Sequence, residues 1–175
     1  SLSEDNEGHL WIVTADGLSR YDNTGLLSFT RREGLTSDEV FGLAEDVAGN
    51  VWIGTRSGVT KYDGKRLTTF DASQDLGGSV NSILADQKGA VWAATDIGIS
   101  QSKRSTLMKY SDGRWQQFLK SGVEFLGRRT GSLAQDQYGD FWFSSFLGTA
   151  ILDEERVCRR IDSLPVIDRE KISAI

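Results

Sequence analysis

Short runs of alternating hydrophobic and polar residues fill the chain, and most of them end at a cluster of Gly, Asp, Asn or Ser. Between residues 40 and 70 the segments VFGLAED, VWIGT, VTKYD and RLTTF follow one another, joined by tight turns such as DVAGN, RSG and DGK. Period-two alternation over such short runs predicts β-strands, and the short connections predict hairpins. This stretch therefore predicts one antiparallel sheet of four strands.

The same pattern occurs four times when the chain is aligned on the tryptophans at positions 11, 52, 92 and 142. The steps between these tryptophans are 41, 40 and 50 residues, and each Trp follows an Asp by six residues and a Gly by three. The repeated residues are Asp5, Gly8 and Trp11; Asp46, Gly49 and Trp52; Asp86, Gly89 and Trp92; and Asp136, Gly139 and Trp142. A period of about 40–45 residues built from short strands is typical of β-propeller blades, which stack around an axis.

We therefore predict an all-β fold of about four propeller blades, each a four-stranded antiparallel sheet, in a single repeat region. The expected extents are 1–175 for the region, approximately 1–30, 39–70, 79–118 and 129–161 for the blades, and 171–175 for the first strand of a further blade. The first and last segments are in the same phase of the repeat, which favours an open arc, part of a longer ring of about seven blades, over a closed four-bladed ring. Such an arc would leave an apolar face at each end. We expect these faces to be covered by the remaining blades of the parent chain or, in a homodimer, by the end blades of a second copy.

The repeated residues have structural interpretations. We expect each Asp to bond the backbone of its own turn, and each Gly to supply the positive φ that such a turn needs. The tryptophans could serve as a carbohydrate platform, but apolar neighbours flank each of them, which favours packing between blades. The Thr or Ser three residues after each Trp is expected to hydrogen-bond at the end of its strand.

Composition and charge narrow the possible partners. The 175 residues are 38% hydrophobic and carry a formal net charge of −5. Acidic and basic residues are interspersed and no basic stripe is present, which argues against a nucleic-acid partner. No apolar run approaches the length of a membrane span, so no membrane contact is expected of this segment. Cys158 is the single cysteine, which excludes an internal disulfide.

Residues for catalysis or metal binding are sparse in this sequence. The single histidine, His9, falls in a predicted turn and is expected to be solvated, so no catalytic triad can be assembled around it. Each Asp-x-x-Gly turn offers one or two carboxylates, fewer than the roughly six to eight oxygens that Ca²⁺ takes. We predict no catalytic residues, no metal and no cofactor.

The pattern D-x-x-G-x-apolar-W-apolar-G-T-x-x-G-apolar, followed by YD, F and the pair Gly34-Leu35, resembles the two-component regulator propeller repeat. The resemblance implies an extracytoplasmic sensor region of a bacterial histidine kinase, hybrid kinase or diguanylate cyclase. It thus implies a non-catalytic, periplasmic segment that binds a small molecule, such as an oligosaccharide. The alternatives are a protein–protein interaction scaffold and, with less support, a propeller enzyme such as a lyase or glycosidase.

A candidate ligand surface follows from the blade topology. The connections into the innermost strands and the turns between second and third strands share one face of a propeller, and these segments differ from repeat to repeat. On this face we predict ligand contacts from Arg31, Arg32, Arg56, Arg128, Arg129 and Phe146. The guanidinium groups suit carboxylates or sulfates, and Phe146 is an aromatic in a turn that is otherwise polar. The alternative is that these are ordinary solvated loops.

Overall fold

The computed structural model describes residues 1–14, 16–71, 76, 78–97, 104–118, 130–145, 148–152 and 158–160. Within these residues the chain forms sixteen β-strands in four sheets of four. The first sheet contains β1 (Leu2–Glu4), β2 (Leu10–Thr14), β3 (Gly17–Asp22) and β4 (Gly25–Phe29). The second contains β5 (Val40–Glu45), β6 (Val51–Thr55), β7 (Gly58–Tyr62) and β8 (Leu67–Phe70).

The second half of the chain repeats this arrangement. The third sheet contains β9 (Ser79–Ala85), β10 (Val91–Ile97), β11 (Arg104–Ser111) and β12 (Arg114–Gln117). The fourth contains β13 (Thr130–Gln135), β14 (Phe141–Ser145), β15 (Gly148–Leu152) and β16 (Cys158–Arg160). In every sheet the strands lie in chain order and pair antiparallel. The predicted all-β fold of four four-stranded blades is confirmed, and we call these sheets blades one to four.

Each interface between neighbouring blades holds a hydrophobic cluster. Between blades one and two, Trp11 stacks on Phe29 of its own blade, with ring centroids 5.7 Å apart, and meets the edge of Tyr62 of the next blade at 6.0 Å. Between blades two and three, Trp52 contacts Tyr110 at 4.7 Å. Between blades three and four, Trp92 contacts Phe141 at 4.4 Å. The tryptophans at these interfaces pack one blade on the next.

The outer face of blade one is uncovered. Strand register places Leu2, Leu10, Ile12, Tyr21 and Leu26 on the face opposite to Trp11. Leu2 is 69% exposed, Leu26 61% and Tyr21 50%. These apolar side chains share the face with Ser19, Ser28 and Glu4, and the face is solvent-accessible, as expected for the end of an arc.

A β-bulge interrupts the innermost strand of blades two, three and four at one common place. The register of β5 shifts between Val40 and Gly42, so that Phe41 is the extra residue. In β9 the shift leaves Asn81 without a partner, and in β13 it falls between Thr130 and Leu133, where Gly131 lies. Each of these residues precedes the tryptophan of its blade by eleven positions.

Candidate functional site

The Asp of each repeat organises both its own turn and the tryptophan that follows. In blade two, Asp46 Oδ1 accepts hydrogen bonds from the backbone N–H groups of Ala48 at 3.0 Å and Asn50 at 2.9 Å. Its other oxygen, Oδ2, accepts a bond from the indole Nε1 of Trp52 at 2.7 Å. The same indole bond occurs in the other blades, at 2.8, 2.8 and 2.9 Å. This bond explains why Asp and Trp are always six residues apart. The sequence analysis did not predict it.

These hydrogen bonds affect the acidity of two of the carboxyl groups. Burial alone would raise the pKa of Asp46, but the bonds from Trp52 and Asn50 outweigh it and leave the pKa below its ordinary value. The pKa of Asp5 is likewise lowered, because bonds from Trp11 and His9 outweigh the opposing effect of burial. Both carboxylates are therefore structural anions, each already committed to several donors.

His9 differs from its prediction as a solvated turn residue. Its Nδ1 lies 3.0 Å from Oδ2 of Asp5, and its side chain is only 21% exposed. The equivalent residue of blade two, Asn50, bonds Asp46 in the same manner with its side-chain amide at 2.9 Å. His9 therefore belongs to the turn structure, where its ring reaches back to the carboxylate.

In blades one and two, the hydroxyl three residues after the tryptophan closes the turn between the second and third strands. Thr14 Oγ1 donates to the carbonyl of Gly17 at 3.2 Å, and Thr55 Oγ1 to that of Gly58 at 3.1 Å. Gly58 has a φ of +139°, and a Cβ at this position would collide with the carbonyl oxygen of Phe70. The turn therefore requires glycine, for reasons of structure alone.

The connection from blade one to blade two, residues 30–39, is an ordered loop. Glu33 Oε2 accepts from Thr30 twice, through the hydroxyl at 2.6 Å and the backbone N–H at 2.8 Å, and these bonds lower the pKa of Glu33. At the other end, the hydroxyl of Thr36 lies 2.8 Å from that of Thr55. The loop is thus attached to the turn that carries Arg56.

Three of the predicted ligand contacts lie in this region. Arg56 Nη1 donates to Glu39 Oε2 at 2.9 Å, and its backbone N–H donates to the carbonyl of Glu39 at 3.0 Å. The backbone N–H of Arg31 bonds Oδ1 of Asp38 at 2.7 Å. The side chains of Arg31 and Arg32 make no hydrogen bond or ion pair to any described residue.

The structure therefore separates the predicted arginines into two kinds. Arg31 and Arg32 are exposed with guanidinium groups open to an anion, whereas Arg56 already has a carboxylate partner on the same face. Arg128, Arg129 and Phe146 lie outside the described residues.

Phe41 is a surface aromatic that the sequence analysis did not select. It is 47% exposed although it lies on the innermost strand of blade two. The alternation of VFGLAED suggests a regular strand, so only comparison of the repeats could have singled it out: Asn81 and Gly131 take the same place in blades three and four.

Metal and membrane contacts find no support in the described part of the chain. No group of three or more His, Cys, Asp or Glu side chains there is arranged to hold a metal ion. The described segments also contain no apolar helix of the length needed to cross a membrane.

The four blades and their repeated turns define a β-propeller repeat segment. Comparison with known proteins shows which propeller family it resembles. Residues 34–57 match the family model described as two component regulator propeller. This stretch holds one full Asp–Gly–Trp turn, and there the resemblance inferred from the sequence is confirmed. A search of the curated proteins found no match to the chain.

Solved structures of similar fold include extracellular domains of bacterial regulators. One, described as the extracellular domain of the hybrid two component system BT3049 from B. thetaiotaomicron, has a TM-score of 0.73 at 22% identity over 90% of this chain and 22% of its own. The extracellular domain of BT4673, a one component system by its description and from the same organism, has a TM-score of 0.71 at 16% identity over 94% of this chain and 25% of its own. The chain thus spans about a quarter of each of these proteins.

A third similar structure is an enzyme. Virginiamycin B lyase from Staphylococcus aureus has a TM-score of 0.68 at 12% identity over 95% of this chain and 55% of its own. Identities this low show a shared fold, and one fold hosts many functions. Function must therefore be argued from the residues of this chain.

Proposed function

We propose that this chain is a non-catalytic, ligand-binding segment of a bacterial two-component signalling protein, exposed outside the cytoplasm. The observation that carries the proposal is the family match over residues 34–57, which covers the turn bearing Arg56 and part of the 30–39 loop. Two regulators with similar extracellular domains support it.

The ligand in this proposal binds at the 30–39 loop. Arg31 and Arg32 are adjacent and exposed, and their guanidinium groups donate no hydrogen bond to a described carboxylate, so they can bind an incoming anion. The loop itself is held by the bonds of Thr30, Glu33 and Thr36, so it presents these arginines with little ordering cost. Its ligand is a small molecule with a carboxylate or sulfate, such as an acidic oligosaccharide.

Binding can be tested by calorimetric titration and thermal shift with acidic and neutral oligosaccharides. We expect an acidic oligosaccharide to raise the melting temperature and the double variant Arg31→Ala/Arg32→Ala to lose that shift. The matched control is Lys88→Ala/Arg114→Ala, which removes the same charge from two exposed positions of blade three, away from the 30–39 loop. Equal loss in both double variants would show unspecific charge attraction and reject the site.

A further inference from the structure

The bulged residues of the innermost strands form a row along the inner edge of blades two to four. The row consists of Phe41, Asn81 and Gly131. A bulge adds one residue to one strand of a pair and re-aims its side chain, and bulges are common beside functional sites. Here the bulge recurs in the innermost strands of blades two to four, but the bulged residue is different in each. The backbone geometry is therefore constant, whereas the side chain at the bulge varies.

Neighbouring innermost strands lie in direct contact at this level. A Cβ built on Gly42 would lie 3.5 Å from Cγ2 of Ile83, so β5 touches β9 one residue after Phe41. The backbone N–H of Leu133 donates to Ser82 Oγ at 3.1 Å, which joins β13 to β9 one residue after Asn81. The three innermost strands are therefore in contact with one another close to their bulges.

Phe41 is unnecessary for the fold at this position. Blades three and four make the same bulge with an amide and with no side chain at all, and Phe41 belongs to none of the hydrophobic clusters. Its ring is 47% exposed, which leaves an apolar surface in water. An exposed aromatic beside polar groups is the usual composition of a small-molecule site.

The groups around Phe41 define what could bind there. Asn81 carries both a donor and an acceptor, and its Oδ1 accepts one bond, from Ser79 Oγ at 3.2 Å. Glu39, two residues before Phe41, bonds Arg56 but keeps further lone pairs on an exposed carboxylate. Gly131 adds no side chain, so it does not block access from its side. An aromatic face with alternating donors and acceptors matches a ring that has an apolar C–H face and hydroxyls at its edge.

We propose that Phe41, Asn81 and Glu39 form a platform for one polyhydroxylated ring, which stacks on Phe41 and hydrogen-bonds Asn81 and Glu39. The inference rests on the proposed function and deepens it, because it assigns a second subsite to the same ligand. The ring that stacks there is a neutral sugar unit, because the ion pair of Glu39 with Arg56 leaves no net charge beside Phe41. The backbone N–H of Arg31 bonds Asp38, the residue before Glu39, so the ligand that we propose is an oligosaccharide with an acidic unit next to this neutral one.

The test compares two disaccharides on the whole chain, cellobiose as the neutral probe and its uronic acid counterpart as the acidic one. Binding is followed by calorimetric titration and by saturation-transfer NMR. We expect Phe41→Ser to weaken binding of both probes by about tenfold, and Phe41→Trp to retain it, because an aromatic contact contributes about 0.5–1.5 kcal/mol beyond its area. Asn81→Ala should weaken both in the same manner.

The matched control is Tyr21→Ser, which removes another half-exposed aromatic from the outer face of blade one. It should leave both affinities unchanged, and a melting curve for each variant shows that it folds. If Phe41→Ser and Tyr21→Ser behave alike while Arg31→Ala/Arg32→Ala still abolishes binding of the acidic probe, the platform is rejected and the proposed function stands. If neither probe binds the unaltered chain, both are rejected.

Discussion

Blades one and two present nearly the same side chains on the same face, yet only one of these faces is buried. Leu2, Leu10, Ile12, Tyr21 and Leu26 of blade one correspond, 41 positions later, to Leu43, Val51, Ile53, Tyr62 and Leu67 of blade two. Tyr21 is 50% exposed and Tyr62 only 7%. The difference lies in the neighbour: Trp11 and Phe29 of blade one cover Tyr62, and no described residue covers Tyr21 in this way.

The comparison shows where the stability of a repeat fold resides. A four-stranded sheet cannot cover both of its faces, so each blade depends on the next for the burial of its side chains. The second and third strands pair as regularly in blade one as in blade two. Similar sequence and similar pairing thus lead to unequal burial, and mutations at equivalent positions should have unequal costs.

The largest effect is expected from the two equivalent tyrosines. Tyr62→Ala should lower the free energy of unfolding by about 3 kcal/mol or more, because it empties a packed site between Trp11 and Phe29. Tyr21→Ala should cost no more than about 0.5 kcal/mol, since much of its ring is already in water. Urea denaturation followed by tryptophan fluorescence measures both. Equal costs would mean that the outer face of blade one is covered in solution.

The next effect concerns the turn that holds the tryptophan in each blade. Asp46→Ala should cost about 1–3 kcal/mol at neutral pH, because the Nε1 of Trp52 and two backbone N–H groups lose their acceptor. The folded pKa of Asp46 lies below the value in the unfolded chain, which is about 3.9. The stability that it contributes is therefore complete above that value and is lost as the pH falls through the folded pKa.

The pH dependence supplies the check on Asp46. The difference in unfolding free energy between the wild type and Asp46→Ala should shrink on acidification from pH 7 to pH 2, as measured by denaturation at each pH. The control, Glu4→Ala, removes an exposed carboxylate from β1 and should change the free energy of unfolding at pH 7 by no more than about 0.5 kcal/mol. A difference that stays constant with pH would contradict the assigned role of the Asp46 charge.

The fold could be predicted because its determinants are local and repeated. Asp, Gly and Trp recur at constant spacing, since each turn needs its own acceptor, its own positive φ and its own indole. The indole bond to Asp46 could not be read from the sequence, because only the turn geometry brings Nε1 to the carboxylate. The bulge at Phe41 could not be predicted either, because the hydrophobic alternation of VFGLAED resembles that of a regular strand.

The candidate site could be predicted in part, for a physical reason. The topology alone indicated which loops share a face, and this selected Arg31, Arg32 and Arg56. Whether a guanidinium is open or paired depends on side-chain geometry across the loop, and the sequence could not show that Glu39 bonds Arg56. Ligand contacts of this kind depend on individual side chains, whereas the blade pattern depends on residue types that recur in every repeat.

A smaller effect is expected from a hydrogen bond that joins blades one and two at their turns. Glu45 Oε2 accepts from the backbone N–H of Asn6 at 2.7 Å. Glu45→Ala should cost about 1 kcal/mol in the free energy of unfolding, since the bond is exposed to water. Urea denaturation of Glu45→Ala and of the wild type measures this cost, and equal stability of the two would contradict this account.

The interface between blades two and three lacks the acceptor side chain that Glu45 provides between blades one and two. There Ala85 occupies the position of Glu45, so its side chain offers no acceptor to the turn of blade two. That interface has a large aromatic cluster of Trp52, Phe70, Tyr110 and Trp115 instead. Glu45→Ala should therefore make the first interface weaker than the second, which amide hydrogen exchange would show as earlier opening of blade one.

The smallest effect concerns the association of two copies of the chain. We predict a homodimer that forms through the uncovered face of blade one. The strand spacing gives this face an area of about 330 Å², so two such faces would bury about 650 Å². Stable complexes bury about 1,200–2,000 Å², so we expect weak and reversible association of two copies. Glu4 is the one charged residue that the register places on this face, and a twofold pairing of two apolar faces is the simplest arrangement.

Leu26→Lys would place two charges in that pairing without cost to the fold, because Leu26 is already 61% exposed. Sedimentation velocity over a concentration series should show association for the wild type and a loss of it for this variant. Val47→Lys adds the same charge at an exposed turn and should associate like the wild type. A monomer at every concentration would reject the pairing, and it would mean that an isolated face of this size, although apolar, is too small to hold a partner that is not tethered to it.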